Sequence, residues 1–362
     1  MYYYRIAGLI LQTFCRLASF GSFVCDPSDA DVILEETNEQ PPLGREQCSG
    51  SIIHRTLADG WFIYANQDDS SGLYANADYT RLRFLNVNGV MISGIKEWCI
   101  RIALECRLAR MGYVSLHAAA IETDGKAYAF TGPSGIGKST RAASWIDVNN
   151  ARLINGDRPL IDVRKQQLFG VPWDGKEKCY QNVVYPLEAI CDIRRSESTY
   201  LREMSFEQRR KLLLRQCFIP MWDTETAAIQ MANIVRLAMN VKIVRAFGGP
   251  TTEDARALLG ALQDHNIIRE EKDMKAKTGF VLRNVVDEYL LMPIGENIGQ
   301  FNGTVLLNEV SAFVWEKLQS PLSRADLLQA ILDEYEVDKA TASADLDALL
   351  KTLRDYDVIE DD

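Results

Sequence analysis

The spacing of apolar residues changes character several times along the chain. Up to about residue 105 it alternates. "DVILEE" (31–36), "GWFIYANQ" (60–67), "GLYANADYTRLRFLNVNG" (72–89) and "GVMISG" (89–94) predict strands separated by Asn, Asp and Gly turns. "IKEWCIRIALECRLARMG" (95–112) then shifts to helical periodicity and ends at a glycine. "YVSLHAAAIETDGKAYAFTG" (113–132) predicts two strands joined by a turn at Asp124-Gly125. Further strands are expected in 151–173 and at "VKIVRAFG" (241–248), and helices at 205–216, 224–241 and 251–265. A polar stretch, "NIIREEKDMKAKTG" (266–279), interrupts the pattern. Beyond it come strands in 280–294 and 297–308 and three helical segments, 308–319, 323–335 and 338–356. Ser323 with Asp326, and Asp338 with Thr341 nearby, are N-terminal capping signals for two of them.

This reading predicts a mixed α+β and α/β chain in pieces. They are a β-rich region over 1–105, an α/β core over 106–266, a linker over 267–277 and a small hairpin-and-helix domain over 278–362. Charge sharpens the last boundary. From residue 275 onward there are 8 Lys and Arg against 17 Asp and Glu, while the preceding 274 residues carry 32 against 33. An acidic tail domain on a nearly neutral body argues against nucleic acid as the partner. No apolar run is long enough to span a membrane. Arg5 and Arg16 interrupt the apolar N-terminus, and no cleavage site for a signal peptide follows, so a cytoplasmic protein is expected. The eight cysteines contain no C-x-x-C and read as reduced thiols.

The stretch most informative about chemistry is "FTGPSGIGKST" (130–140). Gly132, Pro133, Ser134, Gly135, Ile136, Gly137, Lys138 and Ser139 satisfy G-x-x-x-x-G-K-[ST], with Thr140 next. A strand-like "KAYAFTG" precedes it and a helix-like "KSTRAASWI" follows. In such a loop, glycines allow positive φ, and backbone N–H groups converge on phosphate oxygens at a helix N-terminus. Lys138 would then reach the terminal phosphates, and the Ser139 hydroxyl would ligate Mg²⁺ of a bound ATP.

Chemistry-bearing residues lie close by in sequence. His117 stands on the expected strand "SLHAAAI", Asp157 and Arg158 in "LINGDRPL", and Trp173, Asp174, Lys176 and Glu177 in "GVPWDGKEK". Each alone has an ordinary structural explanation: a core histidine, a turn pair, a solvated charge. Their gathering around a phosphate loop points to phosphoryl transfer, which needs a proton acceptor, metal ligands and cations. Asp157 is the candidate base and metal ligand. Arg158 or Arg141 would neutralise phosphate charge, and Lys176 and Glu177 are candidate substrate contacts.

Residues 115–160, "SLHAAAIETDGKAYAFTGPSGIGKST" followed by a short helix and "LINGDRPL", resemble HPr kinase/phosphorylase, a family whose fold is like that of phosphoenolpyruvate carboxykinase; the likeness extends over roughly 100–265. By position, His117 matches the family histidine, Gly132–Ser139 the phosphate loop, and Gly156-Asp157 its paired aspartates. Asp157 takes the second place, that of the catalytic acid/base, and the first acid is missing here. The chain is similar in particular to HPr-kinase-related proteins of peptide-modification gene clusters, some of which phosphorylate a serine on a precursor peptide. The C-terminal piece resembles PqqD, in "LNEVSAFVWEKL" (307–318), the helix ending "EYEV" and "DLDALLKTLRDYDVI" (345–359). PqqD-like units are winged-helix-like and bind the leader segment of ribosomally made peptides as an added strand. The periodic Leu346, Leu349, Leu350 and Leu353 read as core, which puts the expected groove at strand 289–294 and the polar face of the last helix. Together the resemblances imply an ATP- and Mg²⁺-dependent kinase of a Ser or Thr hydroxyl on a ribosomal precursor peptide. The alternative is a nucleotide-binding module that delivers a peptide without phosphorylating it.

Overall fold

A computed structural model of the chain describes residues 1–49, 52–65, 68–85, 92–133, 135–173, 175, 178–268, 273–285, 288–295 and 305–361. They fall into two compact units, Met1–Arg269 and Glu270–Asp362.

The first unit opens with eight strands: β1 (Tyr2–Ile6), β2 (Leu9–Thr13), β3 (Val32–Thr37), β4 (Gln47–Ser49), β5 (Ile52–Leu57), β6 (Gly60–Ala65), β7 (Asp68–Asn76) and β8 (Arg81–Leu85). They form one sheet in the order β1-β2-β3-β8-β7-β6-β5-β4. Alternation along the strands sends Leu73, Leu82 and Phe84 into a core shared with helix α1 (Ile95–Arg110). Phe62, Tyr64 and Tyr74 form a smaller cluster, with the Arg55 guanidinium over Phe62 and Tyr64. Of the strand expected at 89–94, residues 89–91 lie outside the described residues, and Ile92 makes a single bridge to Leu17. The core around α1 also takes in Leu160, Val171, Trp173 and Trp222, so the β-rich region and the α/β part share it.

The remaining elements of this unit are β9 (Tyr113–Ser115), β10 (Ala118–Thr123), β11 (Lys126–Thr131), α2 (Lys138–Asn149), β12 (Arg152–Asn155), β13 (Leu160–Asp162), β14 (Gln167–Phe169), β15 (Val184–Arg194), β16 (Tyr200–Glu203), α3 (Phe206–Gln216), α4 (Thr224–Asn240), β17 (Ile243–Phe247), α5 (Thr252–Gln263) and β18 (Ile267–Ile268). The strands make a ten-stranded sheet. The long β15 begins antiparallel to β14, then runs parallel between β11 and β17. Its neighbours are apolar at nearly every position because both faces are covered. Ala118, Ala120, Ala127, Ala129 and Ile190 face α3 and α4, while Ala119, Ile121, Tyr128, Phe130 and Cys191 face α2 and α5. The β10–β11 turn is the expected one: Asp124 and Gly125 both have positive φ, 52° and 74°. Helix α5 starts with a full capping box between Thr251 and Asp254.

The second unit contains β19 (Met274–Ala276), β20 (Phe280–Val285), β21 (Glu288–Pro293), β22 (Val305–Leu307), α6 (Glu309–Lys317), α7 (Arg324–Glu334), α8 (Lys339–Asp355) and β23 (Ile359–Asp361). The three helices start where the capping signals put them, on Ser323 and Asp338, and also on Asn308. Leu346, Leu350 and Leu353 are buried in the core with Trp315 and Leu327. The stretch 267–277, expected as a linker, has secondary structure at both ends. Ile267 and Ile268 pair with β16, whereas Met274–Ala276 pair with β23. Met274 and Ala276 are only 1% and 4% exposed, so these strand residues belong to the C-terminal core.

Candidate functional site

The glycine-rich loop leaves β11 at Thr131 and enters α2 at Lys138. Gly132, Gly135 and Gly137 have φ of 143°, 76° and 106°, a region that L side chains avoid. Ser134 lies outside the described residues. Among the described residues no side chain caps α2, whose N-cap is Gly137, so its first N–H groups are not satisfied by a capping side chain there. Ser139 and Thr140 sit exposed on the first turn. The Lys138 ammonium turns back over the loop, 3.4 Å from the Gly132 carbonyl. Burial pushes the Lys138 pKa down, Asp157 pulls it back up, and Arg158 lowers it further, so all three groups share one field.

His117 does not stand on a strand as expected. It occupies the break between β9 and β10, where the chain changes partners: β9 pairs with β13, and β10 with β11 and β12. Its backbone is held by its N–H donating to the Gln216 carbonyl at 2.8 Å and its carbonyl accepting from the Thr131 hydroxyl at 2.9 Å. The ring is thereby set free of sheet packing, with Nε2 3.5 Å from the Asp157 carboxylate. Burial lowers the His117 pKa, and the cations Lys138 and Arg158 lower it more, against the opposing pull of Asp157. The ring is therefore neutral near pH 7.

Asp157 and Arg158 follow β12 in a tight turn. The Asn155 side chain builds it, accepting from the N–H groups of Asp157 at 3.0 Å and Arg158 at 2.7 Å. Asn155 also donates to the Trp173 carbonyl, and the Trp173 indole donates to the Arg158 carbonyl. The buried Asn155–Trp173 pair thus presents the carboxylate and guanidinium of the next two residues. A cavity of about 320 Å³ opens here, lined by His117, Arg158, Arg215, Phe218, Trp222 and Ile52 among others. Asp174, Lys176 and Glu177 lie outside the described residues. Arg141, a candidate phosphate contact, is buried, with its Nη2 bonded to the Gly248 carbonyl.

Two features escaped the sequence reading. Arg215 reaches the cavity only through the packing of α3, which no local pattern reports. Asp192 closes the apolar run of β15 in register with Thr131, the residue before the loop, and is fully buried between Arg194 and Arg245. An acid at the end of an apolar strand was its one available signal. The arrangement fits a magnesium nucleotide: positive-φ glycines, an uncapped helix start, a lysine over the loop and a carboxylate facing it. No group of three or more His, Cys, Asp or Glu side chains is placed for a metal among the described residues. A Mg²⁺ here would rest on Ser139, Asp157 and phosphate oxygens, a common mode for that ion.

In the second unit the expected groove moves. The strand β21, expected to receive a peptide, lies between β20 and β22 and has both edges paired. The strand β22 pairs only with β21 among the described residues. Beside it runs a cavity of about 480 Å³, walled by Leu306 of β22, Val310 of α6, Tyr335 at the end of α7, and Asp345, Leu349 and Thr352 of α8. Leu306 is 60% exposed. Leu349 is half-buried and lines the cavity together with the buried Leu346, whereas Leu350 of the same helix lies in the core away from it.

No curated protein sequence matches the chain. Two solved chains are similar over 24% of its length. One is TbiB1 in complex with the TbiA(beta) leader peptide, 26% identical, 94% of that chain covered, with a TM-score of 0.21. The other is lasso peptide synthetase B1 complexed with the leader peptide, 22% identical, 98% covered, with the same TM-score of 0.21. Residues 288–359 match the family described as coenzyme PQQ synthesis protein D, so the chain ends in a PqqD-like domain.

Proposed function

We propose that the protein is a kinase of ribosomally made peptides, with a phosphoryl-transfer site on the first unit and a leader-binding groove on the second. The observation that carries the reading is the clustering of Lys138, His117, Asp157 and Arg158 at the glycine loop of a chain that ends in a PqqD-like domain. The loop and His117 also resemble HPr kinase/phosphorylase. Bound at the loop, a magnesium nucleoside triphosphate supplies the phosphoryl group. The loop amides and Lys138 hold its terminal phosphates, and Ser139 and Asp157 hold the metal. The cavity beside His117 and Arg158 admits a Ser or Thr hydroxyl. Asp157 accepts its proton as the hydroxyl oxygen bonds to the terminal phosphorus and the bond from that phosphorus to the bridging oxygen breaks, releasing the nucleoside diphosphate; neutral His117 orients the carboxylate. Arg158 offsets the charge that builds on the transferring group.

The leader segment adds as a strand to β22, with main-chain bonds for affinity and the Leu306–Leu349 groove for side-chain selection. Tethering raises the local concentration of the acceptor residue, so the transfer site itself can bind it weakly. The test is mass spectrometry of a precursor peptide incubated with the protein, ATP and Mg²⁺. One added phosphate that disappears with Asp157→Asn supports the reading. A wild type that never adds phosphate to its bound peptide favours a delivery module instead, for which Gly156, standing where the resembling family has an acid, is the supporting feature.

A further inference from the structure

A separate cavity of about 550 Å³ adjoins the same loop. Its walls are Ile136, Gly137, Thr140 and Arg141, the segment Arg195–Glu197, and the turn Gly248–Pro250. It shares no lining residue with the cavity at His117 and Arg158. Its volume falls in the range of about 300–1,000 Å³ common for small-molecule sites. Arg141 is only 5% exposed. Its Nη2 donates to the Gly248 carbonyl at 2.8 Å, while Nη1 has no hydrogen-bond partner among the described residues. An arginine stays protonated, so a buried donor left unmatched costs free energy until an acceptor arrives. A second guanidinium, Arg195, reaches the loop itself, 3.4 Å from the Gly135 carbonyl.

We infer that this cavity holds the sugar and base of the nucleoside triphosphate whose phosphates lie on the loop. The inference rests on the phosphate-loop reading above and adds the direction of the ligand. Lys138 shares its field with Asp157 and Arg158, so the terminal phosphate belongs on that side. A triphosphate following the loop past Thr140 brings its first phosphate and sugar to Arg141 and Arg195. Their donors meet phosphate and sugar oxygens there. The Glu197 carboxylate accepts from a sugar hydroxyl, and Ile136 and Pro250 offer apolar surface to the base. The site therefore distinguishes a nucleotide from an inorganic polyphosphate, which has the same phosphates and nothing to fill the cavity.

Calorimetric titration of the full chain with ATP and with tripolyphosphate, both in Mg²⁺, tests this. The expected result is ATP binding at least about tenfold tighter, a difference of about 1.4 kcal/mol. Ser196→Trp, which fills the cavity from an exposed segment, should erase that advantage and leave tripolyphosphate within twofold of wild type. Glu197→Leu should weaken ATP alone, and it serves if the tryptophan variant fails to melt cooperatively. Equal affinity for the two ligands in wild type overturns the nucleoside site and leaves the loop reading standing. So does unchanged ATP affinity in a folded Ser196→Trp or Glu197→Leu variant. If wild type binds neither ligand, the phosphate-loop reading itself falls, and this inference with it.

Discussion

The glycine loop of the first unit and the groove of the second present opposite kinds of surface. Around the loop, charged side chains converge: Asp157 and Arg158 both act on Lys138, and all three act on His117. Along the groove the walls are mostly apolar, and what is offered is a strand edge. Proton transfer depends on which side chain stands at one place, because only certain groups titrate or carry charge there. Strand addition depends on unpaired backbone, which any residue but proline supplies. The first kind of site should fail at single residues, and the second should weaken by degrees.

Four measurements break or sharpen that contrast. The largest effect belongs to the loop. Lys138→Ala should abolish nucleotide binding. Asp157→Asn should keep it and lower phosphate transfer by about 10²–10⁴-fold. Leader affinity, read by fluorescence anisotropy, should be unchanged in both; a parallel loss of leader binding would mean that the two sites are not separable.

The next effect concerns the independence of the second unit. A fragment of residues 273–362 should show its own cooperative thermal transition. A fragment beginning at 278 lacks β19, which pairs with β23 and buries Met274. It should be less stable by about 2–5 kcal/mol in urea, on the scale of losing a large core side chain. Equal stability of the two fragments would remove β19 from that core.

A smaller effect is expected in the groove. Leu349→Asp places a charge on the cavity wall without emptying the core, since Leu349 is only half-buried. Leader affinity should fall about 30-fold, in the range of a binding hot spot of about 2 kcal/mol. With full-length precursor the loss should appear as a higher KM with kcat unchanged. A fall in kcat alone would place the leader elsewhere.

The smallest effect is a pH dependence. The folded pKa of His117 is depressed, chiefly by burial. Below the unfolded value of about 6.5, the unfolded chain binds a proton that the folded chain refuses. Its contribution to stability is thus present at pH 7.5 and lost as the pH falls toward the folded pKa. In His117→Gln the drop in Tm between pH 7.5 and 5 should be smaller than in wild type. An identical drop would show that the ring titrates freely in the fold.

Much of this molecule was determined by local sequence. The loop's glycines, the Asp124-Gly125 turn and the caps at Ser323, Asp338 and Thr251 act over four or five residues. Their conformations follow from φ preferences and from side chains bonding nearby N–H groups. Helices α3, α4, α5 and α6–α8 were legible for the same reason, since 3.6-residue periodicity is a property of the segment itself. What tertiary structure decided was partnership. His117 reads as a strand residue until β9 and β10 take different neighbours and leave it at the break, 3.5 Å from Asp157. Met274–Ala276 reads as a polar linker until β23, more than eighty residues later, returns to pair with it. Arg141 reads as one more cation beside the loop until a turn more than a hundred residues later, at Gly248, buries it and takes one of its guanidinium nitrogens. The edge of β22 that has no partner among the described residues could not be read at all, because an edge is defined by which strands pair across it. Hydrogen-bonded pairing and burial join residues far apart in sequence, and no window along the chain contains both partners.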